Sequence, residues 1–138
     1  MNAGDRADIV REYIDKVWNR GDLQALEELT APSFTFQLGG QPPIERAGMS
    51  QFLRTTRLAF PDWRVEVLEL VAQAELVAVR WRGTVTHGGP FHGIPPTGRR
   101  VHVSGMNMYR VSEGRVAEEW EQMDSLGMLR QLGVLPAA

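Results

Sequence analysis

The sequence predicts an α+β domain in which a curved sheet wraps around helices that come earlier in the chain. Helical spacing of apolar residues dominates residues 5–59, whereas strand-like alternation dominates residues 63–124. Helices followed by strands, rather than alternating with them, are typical of this class. The chain has 138 residues, 43% of them hydrophobic, which suits one ordinary core. We therefore expect a single domain spanning residues 1–138.

The first half of the chain predicts three helices and one short strand. Apolar residues recur every three or four positions over residues 5–19, which predicts a helix with one face on the core. Asp22 is placed to cap a second short helix, since its side-chain oxygen can accept amides of the first turn. Residues 33–37 alternate as a short strand, and residues 47–59 return to helical spacing before Pro61.

The second half predicts an antiparallel meander of four strands, followed by a short helix that ends near Gly133. The strands are predicted at residues 63–72, 76–87, 101–111 and 115–124. In the second of them, Val77, Val79 and Trp81 share an apolar face that we expect to point towards the helices. The polar alternate residues, beginning with Arg80, should then lie on the outer face.

The last strand carries an aromatic, an amide and a carboxylate on one face, namely Trp120, Gln122 and Asp124. Such a face can form a pocket with an acid or base at its rim. Asp124 is the candidate catalytic base, because a carboxylate held near apolar neighbours is a stronger base than an exposed one. It is equally well placed to cap the helix that begins at Ser125. The acidic group Glu118, Glu119 and Glu121 is interpreted as a solvated edge.

The residues that share this pocket face depend on the turn at residues 112–114. A turn with Gly114 at positive φ would pair Met106 with Trp120, which adds the even-numbered residues of the preceding strand to the face. Those residues are Ser104, Met106, Met108 and Arg110. A two-residue turn would shift the pairing by one and present Asn107 and Tyr109 instead. We favour the first register.

Candidate substrate-binding residues are the large side chains that these elements contribute, together with one loop histidine. They are Tyr13, Trp18, Phe36, Phe52, Trp81, His92, Met106, Met108 and Trp120. Methionine suits a pocket for irregular ligands because its side chain is flexible. Regularly spaced Met, Trp and Phe are nevertheless more often plain core, and His92 in its Gly- and Pro-rich loop is more often a surface residue.

Composition and spacing argue against several other classes of function. The formal net charge of -2, without a basic cluster, argues against nucleic-acid binding. The absence of cysteine excludes disulfides and thiolate sites, and the spacing of His87, His92 and His102 does not suit a metal. The sequence contains no apolar run long enough for a membrane span and no nucleotide-binding motif, and we expect no signal peptide. We expect a cytoplasmic protein that needs no metal and no organic cofactor.

Several segments together resemble the SnoaL-like polyketide (ester) cyclase family, within the wider nuclear-transport-factor and ketosteroid-isomerase superfamily. The most specific are the Gly-Ile-Pro-Pro-Thr-Gly block at 93–98 and the Trp-x-x-x-Asp end of the last strand at 120–124. The stretches at 105–110 with 114–116, and at 125–133, are also similar to it. So are the Trp-Asn-Arg-Gly-Asp segment at 18–22 and the Phe-Pro-Asp-Trp segment at 60–63.

The resemblance implies a cone-shaped α+β barrel, usually a homodimer, that binds a flat polyketide-derived molecule. The family's cyclases close a ring by an intramolecular aldol reaction, and the role of their strand-end Asp carries over to Asp124. A histidine on the preceding strand assists in those enzymes, but here that position falls near Arg110. Gln122 or Arg110 would then stabilise the enolate oxygen. A hydrophobic substrate and a place in antibiotic biosynthesis are implied as well.

Three other possibilities stay open on the sequence alone. The pocket can serve a related-fold hydroxylase, isomerase, dehydratase or epoxide hydrolase that keeps the acid-base group and changes the substrate. Alternatively, the protein binds an apolar small molecule without catalysis, or has a filled core and acts as a dimerisation module.

Overall fold

The computed structural model describes residues 1–136, which form four helices around one face of a five-stranded sheet. The elements are α1 (Ala3–Tyr13), which runs on into a π-helical segment (Ile14–Asn19), α2 (Leu23–Leu29), β1 (Thr30–Leu38), α3 (Arg46–Ala59), β2 (Glu66–Gln73), β3 (Leu76–Thr86), β4 (Arg100–Ser112), β5 (Arg115–Met123) and α4 (Ser125–Gln131). Among these residues, no helix has the length and apolar character needed to cross a membrane.

The sheet has the strand order β1-β5-β4-β3-β2 and is open, with β1 and β2 as its edges. The predicted meander from β2 to β5 is confirmed, because each of these strands pairs antiparallel with the next. β1 was predicted as a short strand; it is longer and pairs in parallel with β5. The α+β class and the curved sheet around the early helices are confirmed. β5 therefore lies between two hydrogen-bonded neighbours.

The helix ends follow the capping rules that the sequence suggested. The Asp22 side chain accepts the backbone amide of Ala25 at 3.0 Å, as predicted for the start of α2. α4 ends before Gly133, whose φ of 81° is the left-handed conformation that terminates helices. β2 begins three residues later than the predicted residue 63, because the stretch before it is extended and bonded to Asn19 instead of to β3.

The turn between β4 and β5 differs from the one we favoured. Ser112 pairs with Arg115, so the turn consists of two residues, and both Glu113 and Gly114 have positive φ. A β-bulge at Ala117 follows, since Val111 pairs with Val116 but Arg110 pairs with Glu118. The expected pairing of Met106 with Trp120 is therefore wrong, and Met106 lies opposite Gln122.

The bulge leaves the even-numbered residues of both strands on one face, but that face points away from the helices. Met106 and Met108 are 57% and 43% exposed. The reason lies in β3, where the apolar face points inward as predicted and the outward Arg80 and Ala78 lie opposite the two methionines. The predicted pocket on the face of Trp120 is thus on the outside of the sheet.

Candidate active site

A small cavity lies inside the curve of the sheet, between the π-helical segment, the stretch before β2 and the inner faces of β3, β4 and β5. Its volume is about 10 Å³, which holds about one water molecule. The lining consists of Ile14, Trp18, Trp63, Val65, Trp81, Asn107, Tyr109 and Glu121. A larger ligand can enter only if part of this wall moves. Because most of the lining is apolar, polar groups in it act at a low effective dielectric.

Glu121 is the ionisable side chain in the cavity wall that titrates closest to neutral pH. It lies on the inner face of β5, 4% exposed, and its Oε1 accepts a hydrogen bond from Asn107 Nδ2 at 3.1 Å. Burial, followed by the negative charge of Glu119, raises the pKa of Glu121 to about 8, against the opposing effect of the Asn107 hydrogen bond. A carboxyl group with this pKa can both release and accept a proton near neutral pH.

Glu119, two residues earlier on the same face, is held by three donors. Tyr13 Oη donates to its Oε1 at 2.6 Å, while Trp18 Nε1 and Asn107 Nδ2 donate to its Oε2 at 2.8 and 2.9 Å. Burial raises the pKa of Glu119, and these hydrogen bonds oppose that rise. Both oxygens are satisfied, so Glu119 is a positioned carboxylate. Two neighbouring carboxyls in such different surroundings are suited to different tasks.

Asn107 connects the two carboxyl groups. Its Nδ2 donates to both of them, and its Oδ1 accepts the indole N–H of Trp81 at 2.8 Å. Because an indole N–H can only donate, the bond from Trp81 fixes which end of the amide faces the carboxyls. Gly105 makes this arrangement possible, since a Cβ there would lie 2.6 Å from Cζ2 of Trp81. The absence of a side chain at this position lets the indole lie against β4.

Two buried tyrosines complete the polar cluster. Burial and the charge of Glu119 raise the pKa of Tyr13 and of Tyr109 well above the usual value. Both phenols therefore stay neutral, and Tyr13 acts as a hydrogen-bond donor to Glu119. The two rings pack edge to face, with centroids 5.8 Å apart.

The residues predicted to be catalytic lie outside this cavity. Asp124 is exposed at the end of β5, and its Oδ1 accepts the backbone amide of Gly127 at 2.9 Å as the N-cap of α4. Arg110 pairs with Glu118 on the outer face at 3.0 Å, and Gln122 is exposed there. The prediction that these side chains share a pocket is wrong, because the face that carries Gln122 and Arg110 points outward. A catalytic role for Asp124 stays a prediction.

The candidate substrate-binding residues divide into three groups. Three lie in or beside the cavity, since Trp18 and Trp81 line it and Tyr13 joins the polar cluster. Phe36 and Phe52 pack against Trp18 in the core, with ring centroids 5.8 and 6.1 Å away. The others lie on the surface or the outer face: His92, Met106, Met108 and Trp120. The predicted place of Met106, Met108 and Trp120 in an interior pocket is wrong, because the even-numbered face points outward. His92 lies exposed in its loop, as its Gly- and Pro-rich surroundings suggested.

Glu119 and Glu121 were not predicted as interior groups, and Asn107 was placed in the pocket only in the register that we did not favour. The two glutamates were interpreted as part of a solvated edge, whereas both are buried. A usable signal was present in β4, where Val101, Val103, Tyr109 and Val111 alternate on the face that also carries Asn107. That apolar face had to be the inner one, and the bulge then places the odd-numbered residues of β5 beside it.

Comparison with known proteins points to one protein family. The model of the SnoaL-like polyketide cyclase family matches residues 8–132 of the chain. No curated protein matches it. The crystal structure of IdmH from Streptomyces antibioticus, assigned as a polyketide cyclase, is 36% identical with a TM-score of 0.82, and the match covers 94% of this chain and 99% of IdmH.

Two other crystal structures are similar over nearly the same length. AclR from Streptomyces galilaeus, assigned as a hydroxylase, is 30% identical with a TM-score of 0.89, covering 99% of this chain and 86% of AclR. A SnoaL-like protein from Jannaschia sp. CCS1 is 23% identical with a TM-score of 0.88, covering 97% of this chain and 95% of that protein. The last of these shows the fold alone.

Proposed function

Because the chain belongs to the SnoaL-like polyketide cyclase family, we propose that it catalyses a cofactor-independent acid-base reaction on an apolar, polyketide-like substrate. The reaction we favour is an intramolecular aldol cyclisation with Glu121 as the acid-base group. One observation carries this assignment: Glu121 lines the interior cavity and has its pKa raised to about 8. A base of this strength is suited to removing a proton from carbon next to a carbonyl.

In the proposed mechanism one proton leaves the substrate and returns to it. The Glu121 carboxylate removes a proton from a carbon between two carbonyl groups, which leaves an enolate and a neutral carboxyl group. The enolate carbon attacks a third carbonyl of the same molecule, a carbon–carbon bond forms, and the carboxyl returns its proton to the new alkoxide. Once part of the wall has moved to admit it, the apolar lining holds the flexible chain in the reactive geometry.

The surrounding residues support this role for Glu121 rather than for Glu119. Glu119 accepts three hydrogen bonds, which occupy both of its oxygens. Glu121 accepts one, from Asn107, so its other oxygen is available to a substrate. The charge of Glu119 also strengthens Glu121 as a base, since it disfavours a second negative charge nearby.

The test is proton exchange at an acidic carbon, which requires no knowledge of the natural substrate. An aromatic β-keto ester is incubated with the protein in deuterated water, and loss of the α-proton signal is followed by NMR. In Glu121→Gln we expect the exchange rate to fall to that of buffer alone, while the circular dichroism spectrum of the variant stays native. Glu118→Gln, a carboxyl on the outer face of the same strand, is the matched control and should exchange at the wild-type rate.

The same assay decides between Glu121 and Asp124 as the base. Asp124→Asn should keep both the helix cap and the exchange rate, because asparagine is also a good N-cap. Loss of exchange in Asp124→Asn together with retention in Glu121→Gln would assign the base to the strand end instead. Wild-type protein that accelerates no exchange would favour the non-catalytic binder.

The likeness to AclR favours hydroxylation as a second candidate function. The two reactions differ in mass balance, because hydroxylation consumes dioxygen and two electrons from an added reductant and leaves one oxygen atom in the product and the other in water, whereas the aldol product has the mass of the substrate. Mass spectrometry of the product, made with and without oxygen, separates them. An added oxygen atom that depends on dioxygen would replace the cyclase assignment.

We also propose that two copies of the chain associate through the outer face of the sheet. A row of apolar side chains crosses four strands there in register: Val71, Ala78, Met108 and Trp120. Ion pairs flank the row, Arg80 with Glu69 on one side and Arg110 with Glu118 on the other. This row, with its flanking ion pairs, is self-complementary under a two-fold axis.

Sedimentation of a variant tests this homodimer. Met108→Glu should convert a dimer into a monomer, because it places a charge in the middle of the apolar row. Leu58→Glu on α3, which is 70% exposed on another face, is the control and should leave the dimer intact. A wild-type monomer at high concentration would reject the proposal. A cytoplasmic location and a place in antibiotic biosynthesis stay predictions.

A further inference from the structure

The cavity wall contains a hydrogen-bond donor that the acid-base mechanism has not yet used. Trp63 is 5% exposed and its indole Nε1 is buried, yet it has no hydrogen-bond partner. Buried polar atoms without partners are rare in native proteins, and each one costs free energy. An indole N–H can only donate, so the missing partner must be an acceptor.

The other indole donors of the wall already have protein acceptors. Trp18 Nε1 donates to Glu119, and Trp81 Nε1 donates to Asn107. Asn107 Nδ2 is also committed, since it donates to both buried carboxyls. Within residues 1–136, Trp63 therefore supplies the side-chain N–H of the lining that lacks an acceptor.

The backbone that carries Trp63 is fixed on both sides. On the N-terminal side, the carboxylate of Asp62 accepts the amide and hydroxyl of Thr86 at 2.7 and 2.9 Å. On the C-terminal side, Asn19 forms a reciprocal pair with the backbone of Val65 at 2.8 and 3.0 Å. A donor held this firmly is preorganised, which is the property that makes hydrogen bonds effective against developing charge.

The Trp63 ring also packs between other aromatic side chains. Its centroid lies 6.0 Å from that of Phe60, 6.5 Å from that of Trp18 and 6.4 Å from that of Trp81. These contacts leave the ring little freedom to turn its N–H towards solvent. Trp63 and Glu121 both line the cavity, so we infer that a molecule admitted there supplies the missing acceptor.

We propose that the Trp63 indole N–H donates a hydrogen bond to a carbonyl oxygen of the substrate and stabilises the enolate oxygen formed there. This rests on the function proposed above, in which Glu121 removes the proton. It also specifies the ligand class: a molecule with an oxygen acceptor next to the acidic carbon, presented to Trp63 while the carbon faces Glu121. A purely apolar ligand would leave the donor unpaired.

The test uses an oxyanion that resembles an enolate and a neutral partner of the same shape. para-Nitrophenolate and para-nitroanisole are titrated into the protein at a pH above the pKa of para-nitrophenol, so that the probe is charged, and below the pKa of Glu121, so that this carboxyl is mostly neutral, as it is after proton abstraction. We expect Trp63→Phe to weaken binding of the phenolate about tenfold or more, the usual value of a hydrogen bond to a charged group. Binding of the anisole should change little. Trp120→Phe, on the outer face, is the matched control.

A second measurement needs no substitution at Trp63. In protein labelled with ¹⁵N-tryptophan, one of the four indole N–H resonances should move downfield on addition of the phenolate but not of the anisole. The resonance of Trp120, which is identified by its loss in Trp120→Phe, should not move. The resonance that moves in wild type should also move in Glu121→Gln, which keeps the donor and removes only the base.

Three outcomes would overturn the proposal. Equal loss of both probes in Trp63→Phe would mean that Trp63 acts only by packing. An unchanged affinity of Trp63→Phe for the phenolate would mean that the Trp63 N–H faces ordered water or apolar side chains. A wild-type protein that does not bind the phenolate would mean that the site takes no oxyanion. If Glu121→Gln still catalyses exchange while Trp63→Phe loses the phenolate selectively, the base assignment fails and the donor assignment stands.

Discussion

Replacing Glu121 by glutamine should change how the stability of the protein depends on pH. The pKa of Glu121 is about 8 in the folded protein, against 4.5 for an ordinary glutamate. Between these values the folded state holds a proton that the unfolded chain has released. The free energy of unfolding contributed by this group is therefore fully present below about pH 4.5 and is lost as the pH rises to about 8. The amide of glutamine does not titrate, so the stability of the variant does not fall in this way as the pH rises.

The size of the effect follows from the two pKa values. They differ by about 3.5 units (8 minus 4.5), and each unit corresponds to about 1.4 kcal/mol. The contribution is thus on the order of 5 kcal/mol, comparable with the whole stability of a marginal domain. Because Glu121 is 4% exposed, solvent screening does not reduce this value much.

Urea unfolding followed by tryptophan fluorescence, repeated across the window from about pH 4.5 to about pH 8, measures this directly. The difference in free energy of unfolding between Glu121→Gln and wild type should grow by several kcal/mol in favour of the variant as the pH rises. Glu118→Gln should run parallel to wild type, since its carboxyl lies half-exposed on the outer face. Parallel curves for wild type and Glu121→Gln would refute the reasoning, because they would mean that Glu121 has an ordinary pKa.

Three further substitutions test the surroundings of the cavity. Asn107→Leu should destabilise the protein by about 1–3 kcal/mol, because it removes a donor from each of two buried carboxyls. Gly105→Ala should cost about 1–3 kcal/mol, because its Cβ would lie 2.6 Å from Cζ2 of Trp81. Asp124→Ala should cost about 1 kcal/mol, because it removes the acceptor for the Gly127 amide. All three are measured by urea unfolding at neutral pH.

Each of these predictions has an outcome that would contradict it. If Asn107→Leu left the free energy of unfolding unchanged, the buried carboxyl pair would not depend on the amide. Unchanged stability in Gly105→Ala would mean that the indole of Trp81 and the backbone carbonyl of Gln122, which also lies 2.6 Å from the added Cβ, both move without cost. If Asp124→Asn were as unstable as Asp124→Ala, the carboxylate would do more than cap the helix.

The sequence predicted most elements because short-range rules determine them. The helical spacing of residues 5–19 and the cap at Asp22 depend only on local geometry, and both are confirmed. The direction of β3 also followed, because Val77, Val79 and Trp81 are unambiguously apolar. The parallel pairing of β1 with β5 could not be predicted, since it joins residues far apart in the chain.

The candidate site was placed on the wrong face for two physical reasons. Glu119 and Glu121 carry charge, and charged residues are usually exposed unless they are paired or hydrogen-bonded. Their donors come from α1, the π-helical segment and β4, so no local pattern shows that the charge is compensated. Met106 and Met108 were overvalued as pocket residues, although the valines of β4 marked the opposite face as the inner one.

The position of β5 in the sheet has a consequence for how this protein can be adapted to other molecules. Glu119 and Glu121 stand on a strand that is hydrogen-bonded to β1 on one side and to β4 on the other, so the backbone beneath them has little freedom to shift. The shape of the binding space is set elsewhere, by wall residues such as Ile14 and Val65. Directed evolution of new specificity should therefore accumulate substitutions in that wall and leave β5 unchanged.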